Sequence, residues 1–240
     1  MRIAMWSGPR NLSTAMMYAF AQRSDCAVVD EPFYAAYLSR TGLIHPMRED
    51  IIASGETDYD AVIAACLAPA PGGKLHFYQK HMTQHMLPCI DRDWLAGVTN
   101  VFLIRHPARV IASYAAKRES PSLDDIGFRQ QADLFEHVRA LGQTPIVIDS
   151  ADIRDDPKRA LTTLCETLGL PFDPAMLSWP AGGHARDGIW AAHWYGAVHR
   201  STGFADPEGP LPGLDDAGAA LAATAMPYYQ DLARHRLRFS

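Results

Sequence analysis

The chain has 240 residues, with 22 Lys and Arg against 27 Asp and Glu, a formal net charge of -5 and 48% hydrophobic residues. A chain of that length buries roughly 70% of its unfolded surface, enough for a core without metal or disulfide staples, and its acidic balance argues against broad nucleic-acid or anionic-membrane binding. The cysteines Cys26, Cys66, Cys89 and Cys165 form no CxxC pair, no apolar run approaches a spanning helix, and the N-terminus carries no signal-peptide apolar region, so a reducing cytoplasm is the expected setting.

The first unit reads as a strand over 2-6, a loop over 7-12 and a helix over 13-22. A strand-to-helix turn of this kind can present backbone N-H groups to an anion. Counting from Gly8, a nucleoside-triphosphate loop needs glycine at 13, lysine at 14 and serine or threonine at 15. This chain has Ser13, Thr14 and Ala15 instead. What remains is an anion site with Arg10 in the loop and two hydroxyls at the helix start. The plainer alternative is a helix N-terminus after a first strand.

A second strand, Ala27 to Asp30, runs into Glu31-Pro32. Residues 33-57 are mixed, with Phe33, Tyr34 and Tyr37, and read as a substrate-side excursion rather than core. Asp58 caps a short helix to Leu67, which ends before the Pro69-Gly73 turn. Leu75 to Gln79 is a third strand leading into Lys80-His-Met-Thr-Gln-His85. Val98 to Ile104 is the central strand, β-branched and apolar on both faces. It ends in Arg105-His-Pro107, and the proline suits the first turn of a helix to about Lys117. Arg105, Arg109, Lys117 and Arg118 make that stretch a local anion attractor. Leu123 to Leu141 reads as one helix, Pro145 to Ile148 as a strand ending in Asp149, and Asp156-Pro157 as the start of a helix that Gly169 stops.

Strands alternating with helices predict a three-layer α/β/α fold around a mostly parallel sheet, P-loop nucleoside-triphosphate-hydrolase-like, as one domain over 1-240. Right-handed crossovers set the turns after the strands along one sheet edge, so Arg10, Lys80 and Arg105 are expected to converge there. Residues 178-213, rich in Gly, Pro, Trp and His, read as an ordered loop or lid. Asp215 to Met226 is an alanine-rich helix that Pro227 offsets or restarts, continuing to Arg238.

These motifs resemble the sulfotransferase superfamily. Pro9-Arg-Asn-Leu-Ser-Thr14 aligns without a gap with that family's Pro-Lys-Ser-Gly-Thr-Thr loop. Phe102-Leu-Ile-Arg105-His-Pro107 followed by Ser113 matches its second signature, in which a strand ends in Arg and a Ser follows eight residues on. The resemblance is strongest over residues 1-118. It implies 3'-phosphoadenosine-5'-phosphosulfate (PAPS) as donor and the 3',5'-bisphosphate (PAP) as product. By the resemblance Gly8, Pro9, Arg10, Asn11, Leu12, Ser13 and Thr14 hold the phosphosulfate, and Arg105 and Ser113 hold the 3'-phosphate. A guanidinium suits phosphate independently, since it can donate two parallel charge-assisted bonds. The alternatives are a surface ion pair for Arg105 and a hydroxyl bonded to its own helix for Ser113.

Arg10 stands where the family generally has a catalytic lysine. It can stabilise leaving-group charge but cannot readily donate a proton. Lys80-His81-Met82 resembles the family's Lys-Thr-His-Leu region, with His81 the first candidate for the base and His85 the second; a structural histidine is the alternative for each. Zinc at this His-xxx-His pair is not favoured, because no third ligand or intervening glutamate accompanies it. Glu31, Lys80, Arg186, Trp190, His193 and Arg200 are candidates for acceptor contacts or further donor contacts, with an acidic cap or a packed aromatic lid as the plainer readings. The expected partner is a small-molecule acceptor, with no nucleic acid and no membrane. A homodimer is a common solution at this size. Two rival classes share this sheet edge: a small-molecule kinase using ATP and magnesium, and a non-catalytic nucleotide-binding protein.

Overall fold

The structure, a computed structural model, describes residues 1-115 and 121-239. Five strands form its centre: β1 (Arg2–Ser7), β2 (Cys26–Asp30), β3 (His76–Met82), β4 (Thr99–Ile104) and β5 (Ile146–Asp149). They lie in the order β2-β3-β1-β4-β5, and every pairing is parallel. The expected α/β architecture is therefore present, with β1 at the middle.

Helix α1 (Ser13–Ala21) connects β1 to β2, and α2 (Tyr34–Thr41), α3 (Arg48–Ser54) and α4 (Tyr59–Leu67) lie between β2 and β3. Helices α5 (Pro107–Ala115), α6 (Leu123–Ile126) and α7 (Phe128–Ala140) lie between β4 and β5. After β5 come α8 (Ser150–Asp155), α9 (Pro157–Thr167), α10 (Ala191–Trp194), α11 (Gly196–His199) and α12 (Asp216–Ala233). The end of the helix expected to reach about Lys117, together with Lys117 and Arg118, lies outside the described residues.

Alternation along the strands divides the core in two. Ile3 and Met5 of β1, with Val101 and Leu103 of β4, face α1 and α9 through Met16, Phe20, Leu161 and Leu164. Ala4 and Trp6, with Phe102 and Ile104, face the opposite layer, including Leu134, Phe135 and Val138 of α7. A strand buried on both faces must be apolar throughout, which is why Ile3–Trp6 reads as an unbroken apolar run.

Four local expectations change. Residues 33-57 are not merely an excursion: α2 buries Tyr34, Ala35, Ala36, Tyr37 and Leu38. The helix expected over 123-141 breaks at Gly127, whose φ of 73° is left-handed. A Cβ on Gly127 would meet Thr83 Oγ1 at 2.7 Å, and one on Gly8 would meet the Ile126 carbonyl at 2.5 Å. Gly8 thus serves close packing between the β1 turn and this break. A short helix, α8, follows β5 directly. Pro227 neither offsets nor restarts α12, which runs through it; the carbonyl it leaves without an N-H donor belongs to Ala223, which is exposed and can bond water.

The tail packs as an ordered layer. Trp179, Trp190 and Tyr195 are buried, and Ser178 bridges Gly203. No helix among the described residues is long and apolar enough to cross a membrane.

Candidate active site

Because all five strands are parallel, the turns leaving their C-terminal ends share one edge, and a cavity of about 330 Å³ opens there. Its floor is the turn from β1 into α1. Arg10 and Leu12 hold φ angles of 63° and 69°, a left-handed backbone that costs non-glycine residues on the order of 1 kcal/mol each and tends to persist where function requires it. Asn11 pins the turn from below, donating from Nδ2 to the Leu103 carbonyl at 3.1 Å, and Gln131 donates to the carbonyls of Leu103 and Trp6 at 2.9 and 3.1 Å.

Leu12 at the start of α1 makes no side-chain cap, and the first turn contains no acid. The first N-H groups of a helix have no intrahelical acceptor, and the helix dipole adds partial positive charge at that end. Pro9, Asn11, Leu12, Ser13 and Thr14 line the cavity with Arg10, while Gly8 does not.

Two cations meet over this floor. Arg10 donates from Nε to Ser113 Oγ at 3.0 Å, and Arg105 donates from Nη1 to the Arg10 carbonyl at 2.6 Å. The end of β4 and the helix after it are thereby tied to the β1 turn, across 103 and 95 residues of sequence. Burial, and then repulsion from Arg105, push the Arg10 pKa below its ordinary value. Arg105 Nε is buried with no hydrogen-bond partner among the described residues.

Arg105 also bonds Glu208, which the sequence reading did not single out. Arg154 Nη1 donates to Glu208 Oε1 at 2.9 Å, and Arg109 Nε lies 3.0 Å from Oε2. Arg154 sits on α8 just past the end of β5, so the rule that placed Arg10 and Arg105 at the sheet edge applies to it as well. The sequence does not mark it, because α8 has only six residues and shows no periodic pattern.

The opposite end of the cavity is aromatic and carries buried charge. Lys80 is 1% exposed and donates to Asp30 Oδ1 at 2.8 Å, to Glu31 Oε1 at 2.5 Å and to the Tyr195 hydroxyl at 2.5 Å. Burial works against its charge, but Asp30 and Glu31 outweigh it and the Lys80 pKa is raised. Burial raises that of Asp30. Glu31 adopts a left-handed φ of 41° at the end of β2, which sets its carboxylate on the cavity wall beside Tyr34, Trp194 and Tyr195.

The histidines separate. The third strand extends to Met82 rather than ending at Gln79, so Lys80 and His81 both lie inside it and point to opposite faces. Lys80 takes the cavity face. His81 stacks on Trp6 at 4.4 Å between ring centroids, contacts Phe33 and Trp94, and bonds Gln79 at 3.1 Å. The expectation of a base at His81 is therefore corrected: the ring is in the core, outside the cavity lining. His85, in the turn after β3, does line the cavity, held between the rings of Tyr34 and Tyr37 at 4.6 and 4.7 Å. Burial, with help from His45 and Lys80, holds its pKa well below 6.5, so the ring is neutral at pH 7.

The remaining candidates do not line the cavity. Arg186, His193 and Arg200 are exposed. Trp190 is buried behind the wall, donating to the Tyr195 hydroxyl at 3.1 Å and packing edge-on against Tyr34.

The position of His81 has a measurable consequence. Burial lowers its pKa from 6.5 to about 3, so the folded state binds this proton later than the unfolded chain. Its contribution to stability is present above pH 6.5 and is lost as pH falls toward 3, by up to about 1.4 kcal/mol per pH unit. A His81→Phe variant should lose about 1 kcal/mol at pH 8 through the Gln79 bond, and its urea midpoint should fall less steeply than wild type between pH 6.5 and 4. An unchanged acid limb would show that the ring is not buried neutral.

A parallel α/β sheet with an uncapped helix start after its central strand and arginines on the neighbouring turn defines the structural class. The sulfotransferase domain family model matches residues 1–236, and the chain belongs to that family. Two plant relatives are similar over most of the chain. Branched-chain-amino-acid aminotransferase-like protein 1 of Arabidopsis thaliana is 35% identical over 238 residues, covering 97% of this chain and 42% of that protein. Branched-chain-amino-acid aminotransferase-like protein 2 of the same plant is 35% identical over 206 residues, covering 86% and 36%. The chain thus spans about two fifths of the length of the curated relatives it matches. A sulfotransferase from Alicyclobacillus acidocaldarius has the same fold, with a TM-score of 0.57 at 12% identity over 99% of this chain and 96% of that one.

Proposed function

We propose that this chain transfers a sulfuryl group from 3'-phosphoadenosine-5'-phosphosulfate to a hydroxyl or similar nucleophile of a small molecule, releasing the 3',5'-bisphosphate. The observation that carries this reading is the meeting of Arg10, Arg105 and Ser113 beside the uncapped start of α1. The residues present fit such a donor: the N-H groups of the first turn of α1 and two hydroxyls suit its 5' end, and Arg105, with a buried Nε lacking a partner among the described residues, suits its 3'-phosphate.

The donor supplies an activated sulfuryl group whose sulfur-oxygen bond breaks as a new one forms to the acceptor. Arg10, in the cavity lining, would meet the oxygen on which charge grows, and its fixed guanidinium would stabilise that charge more in the transition state than before it. His85, neutral and on the cavity wall, accepts the proton that the acceptor loses. Glu31, set by Lys80, orients the acceptor, and Tyr34 and Trp194 shield the reacting groups from water.

Thermal-shift titrations with 3',5'-adenosine bisphosphate, ATP with magnesium, and ADP test the donor, since a ligand that binds only the folded state raises its apparent stability. The bisphosphate should give the largest shift, and ³⁵S from labelled donor should pass to at least one member of a panel of small alcohols, phenols and amines. Stabilisation by ATP with magnesium alone would point to a kinase. Bisphosphate binding with no consumption of donor would point to a non-catalytic binder.

A further inference from the structure

The segment after α11 crosses the donor end of the cavity without regular structure from Phe204 to Gly209, and it is held there by one acid. The Glu208 side chain is 3% exposed although Asp206, Pro207 and Gly209 around it are exposed. Its carboxylate meets Arg105 Nη2, Arg154 Nη1 at 2.9 Å and Arg109 Nε at 3.0 Å. Two further bonds from the same arginines go to the backbone of the segment: Arg154 Nε to the Asp206 carbonyl at 2.8 Å, and Arg109 Nη2 to the Gly209 carbonyl.

Three guanidiniums around one carboxylate leave surplus positive charge in a partly buried place. A carboxylate has a single charge and two acceptor oxygens, whereas a phosphate monoester brings nearly two charges and three oxygens. Arg105 and Arg154 both line the cavity, so a ligand phosphate can reach the arginines that Glu208 now holds. Phe204 anchors one end by packing edge-on against Trp179; beyond it the stretch is irregular and exposed around Glu208, and such stretches open at low free-energy cost.

We propose that Glu208 is the resident counter-anion of a phosphate-monoester subsite formed by Arg105, Arg109 and Arg154, and that ligand phosphate enters by displacing it. Resting on the donor reading above, the incoming group is the 3'-phosphate of the donor, and Arg154 and Arg109 become its ligands alongside Arg105. The segment 204-209 then acts as a strap that the product must let close again on leaving. An unoccupied cluster of three like charges would repel itself, so the strap also keeps the subsite formed between turnovers.

The test uses the whole chain in three forms: wild type, Glu208→Gln and Arg154→Ala. Each is titrated by calorimetry with 3',5'-adenosine bisphosphate, with 5'-AMP and with inorganic phosphate. Glu208→Gln keeps the shape of the strap while removing the competing charge. If the closed form outweighs the open one about tenfold, apparent affinity rises about tenfold on its removal. Glu208→Gln should therefore bind inorganic phosphate and the bisphosphate roughly tenfold more tightly than wild type, with little change for 5'-AMP. Arg154→Ala should bind the bisphosphate more than fivefold more weakly and 5'-AMP about as wild type does, on the scale of one charge-assisted bond. Unchanged or weaker phosphate binding by a folded Glu208→Gln protein would overturn the proposal, because Glu208 would then order the arginines rather than compete for them. The donor reading fails separately: it is lost if no form prefers the bisphosphate to 5'-AMP, while a tighter phosphate response in Glu208→Gln still supports the subsite.

Discussion

Replacing Arg10 by alanine should lower turnover of the phosphosulfate donor by about 10² to 10³-fold, the loss typical of removing one preorganised charge or donor aimed at a developing anion. Affinity for the bisphosphate product should fall much less, because the α1 N-H groups, Ser13, Thr14 and Arg105 remain. With the acceptor unidentified, the reaction to follow is the slow transfer to water, read as bisphosphate and sulfate formed from labelled donor. Two further variants separate charge from backbone. Arg10 occupies a left-handed conformation, so Arg10→Gly relieves about 1 kcal/mol of strain yet removes the same charge; it should be as slow as alanine. Arg10→Lys restores a cation without the planar fork that now donates to Ser113 and should recover much of the rate. Wild-type activity in all three variants would remove Arg10 from the chemistry.

Much of this arrangement is legible in the sequence, for a physical reason. Apolar strands and the turns that follow them are local in sequence, and parallel topology turns those local positions into one shared edge. That is how Arg10, Arg105 and Ser113 come together from two segments about a hundred residues apart. His81 and His85 depended instead on where β3 ends. Three more residues of strand than expected fix the alternation so that Lys80 faces the cavity and His81 faces Trp6. Nothing local marks that end, since the hydrogen bonds that carry the strand to Met82 come from β1. Arg154 and Glu208 were hidden differently. One lies on a helix of six residues, too short to show a periodic pattern, and the other lies in an irregular, proline-bearing segment whose place is set by the arginines it meets. Exposed Arg186 and Arg200 show the converse: a positive charge near the expected point in the sequence does not secure a place at the site.

The largest loss of stability should come from Lys80→Met. All three donors of Lys80 are used, on Asp30, Glu31 and Tyr195, and the side chain is almost wholly buried. Methionine fits the volume of the stem but leaves Asp30, fully enclosed, beside Glu31 with no cation between them. Removing one partner of a buried ion pair typically costs about 3 to 5 kcal/mol, because the remaining charge stays desolvated. The pH dependence identifies the cause. Burial already raises the Asp30 pKa above its ordinary value, and losing Lys80 removes the principal opposing influence, so the folded variant holds a carboxyl proton to still higher pH. The sign follows from linkage: stability associated with a raised carboxyl pKa is present below the unfolded value near 3.9 and is lost as pH rises through the folded value. Lys80→Met should therefore lose more relative to wild type at pH 8 than at pH 5 in urea titrations, and Lys80→Met with Asp30→Asn should recover part of the loss at pH 8. The same cluster anchors the layer over the cavity, since Gly188 N-H donates to Asp30 Oδ2 at 3.1 Å and the Tyr195 hydroxyl to the same atom at 2.8 Å. Proteolysis within 180-200 should accordingly speed up in Lys80→Met before global unfolding does. A pH-independent loss, with no change in cleavage of that layer, would show that Lys80 acts through packing of its stem and not through its charge.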